Sequence, residues 1–565
     1  MKKDFSLIIG GKAGQGSRLA GAIFGRILKE YGYKVYIYED YQSLIKGGHN
    51  FSEIRFSEKG FFARKKEIDF LLALDKETID FHQKDLKKDG IIVFDSSSFS
   101  FDKGIGIEAK KIVEKEKGLP IMTNTVLVSA FSKILGIDWQ IVKDVFEKEI
   151  KAEKELNLKL AKEGYEISKT IFKIPKLKLN KDEVLLTGNE ATAIGLSRAG
   201  LSFYFAYPMT PATSIMNYFA KREDLNVKVV QPENEIAVIN MALGAAFAGK
   251  KSALGTSGGG FALMTEALSL AGQSETPIFI IESQRGGPST GMPTYNLQGD
   301  LLFVLSAGHG DFPRFVIAPG DAQECLLYSA LGLNLAWKYQ TPVIFLLDKD
   351  LSENTFFVNE KLVNFSKSRI STNLLNREFA RILPRISRMQ NEYKRYEITK
   401  DGISPLAFPG MKGIIVKATS YEHDEFGITI DSEDVVKMQE KRMRKYETMK
   451  KEVEKLPAVK VYGNKKSKIA LVTFGITKGP VIEAAENLGL KVIQPIIIEP
   501  FASNQMRKAL EGVKKLFSVE LNTTGQLAKV LKSQGINVQG SILKYNGRPF
   551  FAKEIEEKIK KELKK

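Results

Sequence analysis

A buried strand that runs directly into an arginine- and glycine-rich loop decides the fold of this chain. The strand is Pro277-Ile278-Phe279-Ile280-Ile281-Glu282, and the loop is Gln284-Arg285-Gly286-Gly287-Pro288-Ser289-Thr290-Gly291-Met292-Pro293-Thr294. Glycines let backbone approach a ligand closely, and ligands of open α/β sheets collect beyond the carboxyl ends of the strands. Because the guanidinium fork of arginine matches a carboxylate, this stretch predicts an α/β fold in which Arg285 holds a small organic acid.

A second strand leads into a proline-rich turn. The strand Phe203-Tyr204-Phe205-Ala206 is followed by Tyr207-Pro208-Met209-Thr210-Pro211-Ala212-Thr213-Ser214. The two prolines fix the turn, and Pro211 stands where a helix can begin. The hydroxyl of Thr210 can cap that helix or bind a ligand at its start, so both roles stay open.

A third stretch repeats this layout around two glutamates. The strand Val227-Lys228-Val229-Val230 precedes Gln231-Pro232-Glu233-Asn234-Glu235, and a helix of small residues is expected from Ile236 to Gly249. The helix dipole favours a carboxylate at a helix start, so an acid here needs no chemical role. It can equally meet a cofactor nitrogen.

These stretches, with two further motifs, resemble the α subunit of the thiamine-diphosphate-dependent 2-oxoacid:ferredoxin oxidoreductases. The further motifs are Gly255-Thr256-Ser257-Gly258 and Gln298-Gly299-Asp300. Two N-terminal motifs are similar to the γ subunit of that family: Gly10-Gly11-Lys12-Ala13-Gly14-Gln15-Gly16 and Leu44-Ile45-Lys46-Gly47-Gly48-His49-Asn50. The chain therefore resembles a γ–α fusion of the kind found in the KorA-type subunit of 2-oxoglutarate:ferredoxin oxidoreductase.

The resemblance implies catalytic roles for three residues. Glu235, placed one turn into a helix rich in Ala and Gly, would bond the pyrimidine nitrogen of thiamine diphosphate and favour the imino tautomer. Glu233 is its local competitor. Arg285 would bind the carboxylate of the 2-oxoacid substrate, and the Thr210 hydroxyl would bond that carboxylate or the 2-oxo oxygen.

The resemblance also implies binding roles around these residues. Tyr207, Pro208 and Gly258 would contact the cofactor, and Lys46 would reach the substrate as a mobile cation. His49 is either a catalytic base or part of a turn built on the two preceding glycines. The loop after Gly258 departs from the family, which often has proline at the position of Gly259.

Two parts of the expected enzyme are missing from the sequence. There is no Gly-Asp-Gly motif with a downstream Asn to clamp magnesium and diphosphate, and Cys325 is the single cysteine. One cysteine cannot hold an iron–sulfur cluster, and a buried structural thiol is the simplest interpretation. No metal site is therefore expected in this chain. Mg²⁺ and a 4Fe–4S cluster would belong to a β subunit that shares the thiamine diphosphate.

The resemblance implies a reaction and a set of partners. The expected reaction is oxidative decarboxylation of a 2-oxoacid, 2-oxoglutarate favoured, with coenzyme A to an acyl-CoA, CO2 and reduced ferredoxin. The expected assembly is an (αβ)2 heterotetramer. A pyruvate or branched-chain 2-oxoacid enzyme, and a non-catalytic assembly subunit, are the alternatives. A nucleotide-binding dehydrogenase is a weaker one, since Gly11 to Gly16 with Glu39 and Asp40 approximates a dinucleotide fingerprint.

Composition and length limit the remaining possibilities. A chain of 565 residues is too long for one core and indicates three or four domains. The net charge of +17 comes from scattered lysines without zinc-ligand spacing or an RNA-binding aromatic motif, so no nucleic-acid partner is expected. No apolar run reaches membrane-spanning length, and the N-terminus runs straight into a strand without a signal sequence, which predicts a cytoplasmic protein with no membrane partner.

Four regions are expected along the chain, all of α/β type. Residues 1–178 would form a Rossmann-like γ-type domain of βαβ units, and 184–355 a pyrimidine-binding thiamine-diphosphate domain. Residues 356–465 would connect them to a transketolase C-terminal-like α/β domain at 466–565. The connecting region carries a charged helix from Glu433 to Leu456. Its apolar stripe would consist of Val436, Met443, Tyr446 and Val453.

Overall fold

The computed structural model describes residues 3–42, 47–363 and 393–564. The chain forms two compact units. The first contains residues 1–186, 353–360 and 550–557, and the second contains residues 187–352, 361–549 and 558–565. Each unit is built around its own β-sheet core.

The strands alternate with helices along most of the described chain, as an α/β fold requires. The strands are β1 (Asp4–Lys12), β2 (Lys34–Asp40), β3 (His49–Ser57), β4 (Ile68–Ala73), β5 (Leu86–Asp95), β6 (Ile105–Ile107), β7 (Glu183–Thr187), β8 (Phe203–Phe205), β9 (Lys228–Val230), β10 (Ser252–Thr256), β11 (Ile278–Gln284), β12 (Phe315–Ile317), β13 (Pro342–Asp348), β14 (Thr355–Asn359), β15 (Val459–Gly463), β16 (Ile469–Val472), β17 (Lys491–Pro495), β18 (Ile497–Glu499), β19 (Lys515–Glu520) and β20 (Gly540–Leu543).

The α-helices range from one turn to six turns. They are α1 (Ser17–Glu30), α2 (Lys76–His82), α3 (Ala109–Lys115), α4 (Thr123–Ile134), α5 (Trp139–Glu149), α6 (Lys154–Glu166), α7 (Gly188–Arg198), α8 (Thr213–Lys221), α9 (Glu235–Phe247), α10 (Gly258–Leu263), α11 (Thr265–Gln273), α12 (Leu301–Ser306), α13 (Ala322–Tyr339), α14 (Lys349–Glu353), α15 (Glu360–Val363), α16 (Ser432–Val453), α17 (Lys478–Leu488), α18 (Ser503–Ala509), α19 (Gln526–Ser533) and α20 (Ala552–Leu563).

The first unit contains an eight-stranded mixed sheet in the order β6-β5-β4-β1-β3-β2-β14-β7. Strands β1, β4, β5 and β6 run parallel, as the expected βαβ units require. Strand β3, which the sequence pattern did not predict, pairs antiparallel with both β1 and β2. The polar residues of β3 obscure the apolar pattern expected of a buried strand. They are buried because they are paired: Ser52 donates a 2.7 Å hydrogen bond to Glu39, and Arg55 lies 3.0 Å from Asp4.

The second unit contains two sheets. The larger has the order β18-β12-β13-β11-β10-β8-β9, and its strands run parallel except for β18. The smaller has the order β15-β17-β16-β19-β20, with β15 antiparallel to β17. The sequence predicted β8, β9 and β11 within one or two residues. A buried apolar cluster includes residues of both sheets, such as Ile280 and Ile493.

Helix α16 is present as predicted. Of its expected apolar stripe, Val453 is buried and Tyr446 is half-buried, but the prediction is wrong for Val436 and Met443. Val436 and Met443 are 55% and 42% exposed, whereas Lys441, Arg442 and Lys445 are buried together with two methionines and Val453. The reason is charge pairing, which makes burial of these cations possible. Lys441 Nζ lies 2.6 Å from Glu275, Lys445 also pairs with Glu275, and Arg442 pairs with Glu422.

The predicted fold class, a multidomain α/β chain, is confirmed by this architecture and by the family comparisons given below. The division at residues 178, 355 and 465 stays a prediction. Cys325 is a free, buried thiol on α13, as expected, and burial raises its pKa well above the ordinary value. None of the helices in the described part of the chain combines the length and the hydropathy that crossing a membrane requires.

Candidate active site at the carboxyl edge of the seven-stranded sheet

The motifs singled out in the sequence meet at one edge of the larger sheet of the second unit. Strands β8, β10, β11 and β13 are parallel neighbours, so the loops after them share the carboxyl edge. The register sets Thr256 beside Glu282 and Gln284 beside Asp348. This is the edge where open α/β sheets bind their ligands.

Arg285 and Thr210 are brought into contact there. Arg285 Nη1 donates a 2.8 Å hydrogen bond to the carbonyl oxygen of Thr210. Helix α8 begins at Thr213 after an uncapped Ala212, so Thr210 is not a helix cap and that alternative is wrong. Within the described residues the Thr210 hydroxyl has no hydrogen-bond partner, which leaves it available to a ligand.

The Arg285 guanidinium is partly buried, and few protein groups balance its positive charge. Burial lowers its pKa below the ordinary arginine value, and the nearby Glu282 opposes this shift. Its single carbonyl partner uses one donor of the fork. A partly desolvated cation with free donors is what a small carboxylate needs for a charge-assisted, two-point interaction.

The sequence suggested that Glu235 lies one turn into a helix. In the structure it is the first residue of α9. Asn234 caps the helix by accepting a 2.9 Å hydrogen bond from the Ala237 amide. Glu235 is 5% exposed, whereas Glu233 is exposed. No described residue donates a hydrogen bond to the Glu235 carboxylate. Burial thus separates the two competing glutamates and favours Glu235 as the residue that meets a cofactor.

A turn of three glycines opens α10 between two acids. A Cβ on Gly260 would lie 2.9 Å from Glu235 Oε1 and would collide with the Thr256 hydroxyl. A Cβ on Gly258 would lie 2.6 Å from Asp300 Oδ2. Gly259, between them, faces open space. Glycine is therefore required where the turn touches the acids, and the turn leaves its middle residue accessible to a ligand.

Tyr207 and Pro208 lie directly after β8, and both are exposed, Tyr207 to 39%. Their position at the carboxyl edge fits a contact with a ligand bound there, and their role in binding a cofactor stays a prediction. Lys46, the expected mobile cation, lies outside the described residues, so its role stays a prediction as well.

His49 forms a buried imidazole pair in the first unit. Its Nε2 lies 2.8 Å from Nε2 of His82, and its ring stacks on Phe81 at a centroid distance of 5.1 Å. Burial lowers the pKa of both histidines, that of His82 to about 3. Gly47 and Gly48 before it have positive φ, as a turn requires. The pair is neutral at physiological pH, and a role as catalytic base stays a prediction.

Glu282 and Asp300, for which the sequence motifs indicated no role, also lie at this edge. Glu282 is fully buried, and no described group donates a hydrogen bond to either of its carboxyl oxygens. Asp300 faces it and lies against Gly258. The signal available in the sequence was the acid at the end of an otherwise apolar strand, since burying a carboxylate without a partner is costly.

Gln298 explains the first half of the Gln298-Gly299-Asp300 motif. Its side-chain amide donates 3.1 Å hydrogen bonds to Asp348 and to the carbonyl oxygen of Phe474. Its side-chain oxygen accepts from the Thr477 hydroxyl at 3.0 Å and from the Leu521 amide at 3.1 Å. Gln298 thereby ties the edge of the larger sheet to the carboxyl ends of β16 and β19.

Two family models and a full-length relative match this chain. Residues 194–444 match the family described as "Pyruvate flavodoxin/ferredoxin oxidoreductase, thiamine diP-bdg", and residues 6–167 match "Pyruvate ferredoxin/flavodoxin oxidoreductase". The 2-oxoacid:ferredoxin oxidoreductase subunit alpha of Saccharolobus solfataricus is 35% identical over 98% of this chain and 97% of that protein. The chain belongs to the 2-oxoacid:ferredoxin oxidoreductase α-subunit family. The resemblance drawn from the motifs is thereby confirmed.

Other relatives of this α subunit are named for 2-oxoglutarate. The 2-oxoglutarate synthase subunit KorA of Methanocaldococcus jannaschii is 30% identical over 60% of this chain and 88% of that protein. The solved 2-oxoglutarate:ferredoxin oxidoreductase of Magnetococcus marinus superposes with a TM-score of 0.86 at 29% identity over the whole of both chains. That enzyme was solved with 2-oxoglutarate, coenzyme A and succinyl-CoA bound.

Family membership establishes the class of activity. The chain is the α subunit of an oxidoreductase that acts on 2-oxoacids with ferredoxin as electron acceptor, and its thiamine-diphosphate-binding region includes the carboxyl edge described above. An α subunit works with at least one other subunit. The match over residues 6–167 also places the glycine loop after β1 in this family.

Proposed function

We propose that this chain supplies the pyrimidine-binding half of a thiamine-diphosphate site and the carboxylate-binding residues for a 2-oxoacid. The observation that carries this proposal is Glu235, which is 5% exposed, receives no hydrogen bond from a described residue and lies beside an open glycine turn. A buried acid without a partner is costly unless a ligand completes its hydrogen bonding. These residues fit the pyrimidine ring of the cofactor.

Glu235 would hold a proton at the pyrimidine nitrogen. When bound, thiamine diphosphate supplies the nucleophilic carbon and the electron sink for decarboxylation. Glu235 contributes position and acid–base exchange, because its carboxylate is fixed at the first residue of a capped helix. Gly258, Tyr207 and Pro208 would line the ring and keep water away from it.

Arg285 and Thr210 would orient the substrate. The guanidinium would bind the carboxylate at C1, with its position fixed by the bond to the Thr210 carbonyl oxygen. The Thr210 hydroxyl would bond the same carboxylate or the 2-oxo oxygen. Lys46 would add a second cation for the substrate. Because the carboxylate is held in a fixed position, the 2-oxo carbon is placed where it reacts.

The remaining parts of the reaction would come from partners. A β subunit would bind Mg²⁺, the diphosphate and the 4Fe–4S cluster, since Cys325 is the single cysteine and is buried. Three large apolar side chains beside the site, Ile236, Met241 and Leu263, are 45–54% exposed and suit a subunit contact. The net charge of +17 suits an acidic ferredoxin. The complex would be a cytoplasmic (αβ)2 heterotetramer.

The favoured substrate is 2-oxoglutarate, with coenzyme A as co-substrate and succinyl-CoA as product. The full-length structural likeness to the Magnetococcus marinus enzyme and the KorA relatives support this choice. Pyruvate and branched-chain 2-oxoacids are the alternatives, because Arg285 recognises only the carboxylate that all of them share.

The test is an assay of the chain alone and together with its partner subunit. Ferredoxin or viologen reduction is measured with 2-oxoglutarate, pyruvate and 2-oxoisovalerate, with and without thiamine diphosphate and coenzyme A. We expect activity only from the pair, the highest kcat/KM with 2-oxoglutarate, and no iron in the single chain. An active pair that is unaffected by Glu235→Gln would leave this chain as a non-catalytic assembly subunit.

A further inference from the structure

Glu282 is a buried acid that has no role in the reaction proposed above. It lies near the end of β11, where the alternation of a strand directs it to the same face as Ile278 and Ile280, and it is fully buried. No described group donates a hydrogen bond to its carboxyl oxygens. An ionised carboxylate cannot be held in that state without a partner.

The charged groups that face Glu282 are Asp300, Asp348 and Arg285. Burial raises the pKa of Glu282 well above the ordinary value, the two aspartates raise it further, and Arg285 only partly opposes them. Burial also raises the pKa of Asp300 to about 6. Burial without a hydrogen-bond donor and the neighbouring acid both favour the protonated form of Glu282, so the pair Glu282 and Asp300 holds one proton more strongly than isolated acids do.

Asp300 is held in a fixed position for this pairing. Its backbone amide donates a 3.0 Å hydrogen bond to the side-chain oxygen of Gln284, and Gln284 is bonded in turn to the carbonyl oxygen of Leu347. Its carboxylate lies against Gly258. The position of the acid is therefore set by the strands and by the glycine turn, and it does not depend on a mobile side chain.

We propose that Glu282 is a positioning residue for Arg285: kept protonated against Asp300, it leaves the guanidinium charge free for the substrate carboxylate. An ionised Glu282, near the end of β11 and three residues before Arg285 in the chain, would attract the guanidinium and compete with the substrate. The proton shared with Asp300 prevents that competition. The inference rests on the proposed role of Arg285 in substrate binding.

The direction of the pH effect follows from the acid that titrates. As pH rises, the shared proton leaves, Glu282 becomes an anion beside Arg285, and the KM for the 2-oxoacid increases. We expect an increase of about tenfold, the effect of one lost charged interaction, with a smaller change in kcat. Substrate affinity should therefore fall on the alkaline side.

The experiment measures kcat and KM for 2-oxoglutarate and pyruvate with the assembled enzyme from about pH 6 to about pH 9. Glu282→Gln keeps the neutral shape at every pH, so its KM should match wild type near neutrality and stay flat where the wild-type KM rises. Glu447→Gln, on the exposed side of α16, is the matched control and should follow wild type.

Asp300→Asn provides a second variant with a different expected result. It removes the neighbouring negative charge that keeps Glu282 protonated, so the rise in KM should begin at lower pH. If Glu282→Gln misfolds, this shift still decides the question. A Glu282→Gln profile that superimposes on wild type, or an Asp300→Asn profile with no displacement, would overturn the inference.

Failure of this inference can be told apart from failure of the proposed function. If Arg285→Ala raises KM at every pH while Glu282→Gln behaves as wild type, Arg285 binds substrate and Glu282 has no part in it. If Arg285→Ala leaves KM unchanged, the role proposed for Arg285 is itself wrong.

Discussion

Two buried glutamates lie near the two ends of strand β11, and their surroundings differ in charge. Glu275 precedes the amino end of β11 and is 1% exposed, and Glu282 lies near its carboxyl end and is fully buried. Glu275 pairs with Lys441 and Lys445, and its carbonyl oxygen accepts a 2.7 Å hydrogen bond from Arg395. Glu282 has no described donor and faces two further acids.

The pKa directions express the same contrast. Burial alone would raise both values, but the lysines outweigh it at Glu275 and hold its pKa well below the ordinary range. At Glu282 the neighbouring aspartates add to burial and raise the pKa. One end of β11 thus uses a buried acid to attach α16 to the sheet, and the other end holds a buried acid without a hydrogen-bond donor. Unpaired acids at the carboxyl edge point to chemistry, because structure alone would have paired them.

Removal of the paired acid should have the largest effect in this comparison. Glu275→Gln leaves Lys441 and Lys445 buried without a counter-charge, and we expect the free energy of unfolding of the chain to fall by about 3–5 kcal/mol. Urea unfolding followed by circular dichroism measures it. Glu447→Gln, which removes a partner from an exposed pair on the same helix, should change stability by less than about 0.5 kcal/mol. Equal losses in the two variants would contradict the account of Glu275.

Arg285, the cation at the other end of the strand, should matter for substrate rather than for stability. Arg285→Lys loses the two-point geometry and Arg285→Ala loses the charge, which costs about 1.5–3 kcal/mol of substrate binding. We expect KM for the 2-oxoacid to rise at least about tenfold in steady-state assays of the assembled enzyme. Near-normal KM and kcat in both variants would show that the loop only shapes the fold.

The two glutamates should also give opposite pH dependences of stability, and the change per pH unit is the smallest of the three effects. Glu275 has a lowered folded pKa, so its contribution is present above about pH 4.3 and is lost as pH falls below that value. Glu282 has a raised folded pKa, so stability is lost relative to Glu282→Gln as pH rises above that value, by up to about 1.4 kcal/mol per pH unit.

Urea unfolding of the two Gln variants and wild type across pH checks these signs. The deficit of Glu275→Gln should shrink in acid, and any deficit of Glu282→Gln should shrink or reverse towards alkaline pH. The same trend in both variants would remove the distinction between the two ends of β11.

Much of the fold could be predicted from the sequence because long apolar runs bounded by glycine and proline are strong signals. Strand β11 and the loop after it follow directly from such a run. Strand β3 was missed since its buried polar residues find partners on other strands, such as Glu39 and Asp4, which a local pattern does not show. The stripe of α16 was wrong at Val436 and Met443 for the same reason, because Glu275 makes burial of lysines possible.

The candidate site was predictable only in part. The order of motifs pointed to Glu235, Thr210 and Arg285, and the structure brings Thr210 and Arg285 into contact. The preference for Glu235 over Glu233 needed burial, which their near-identical sequence context could not supply. Glu282 and Asp300 could not be paired from sequence because they meet only through the sheet register and the anchoring of Gln298.

The rate at which the thiamine C2 proton exchanges shows whether the buried acid Glu235 takes part in the chemistry. Exchange is followed by NMR in the assembled enzyme, with Glu235→Gln compared with Glu233→Gln, its exposed neighbour. We predict exchange slowed on the order of a hundredfold or more in Glu235→Gln and unchanged in Glu233→Gln, as expected for loss of acid–base help. Normal exchange in Glu235→Gln with loss in Glu233→Gln would move the role to the exposed acid, and normal exchange in both would contradict the account.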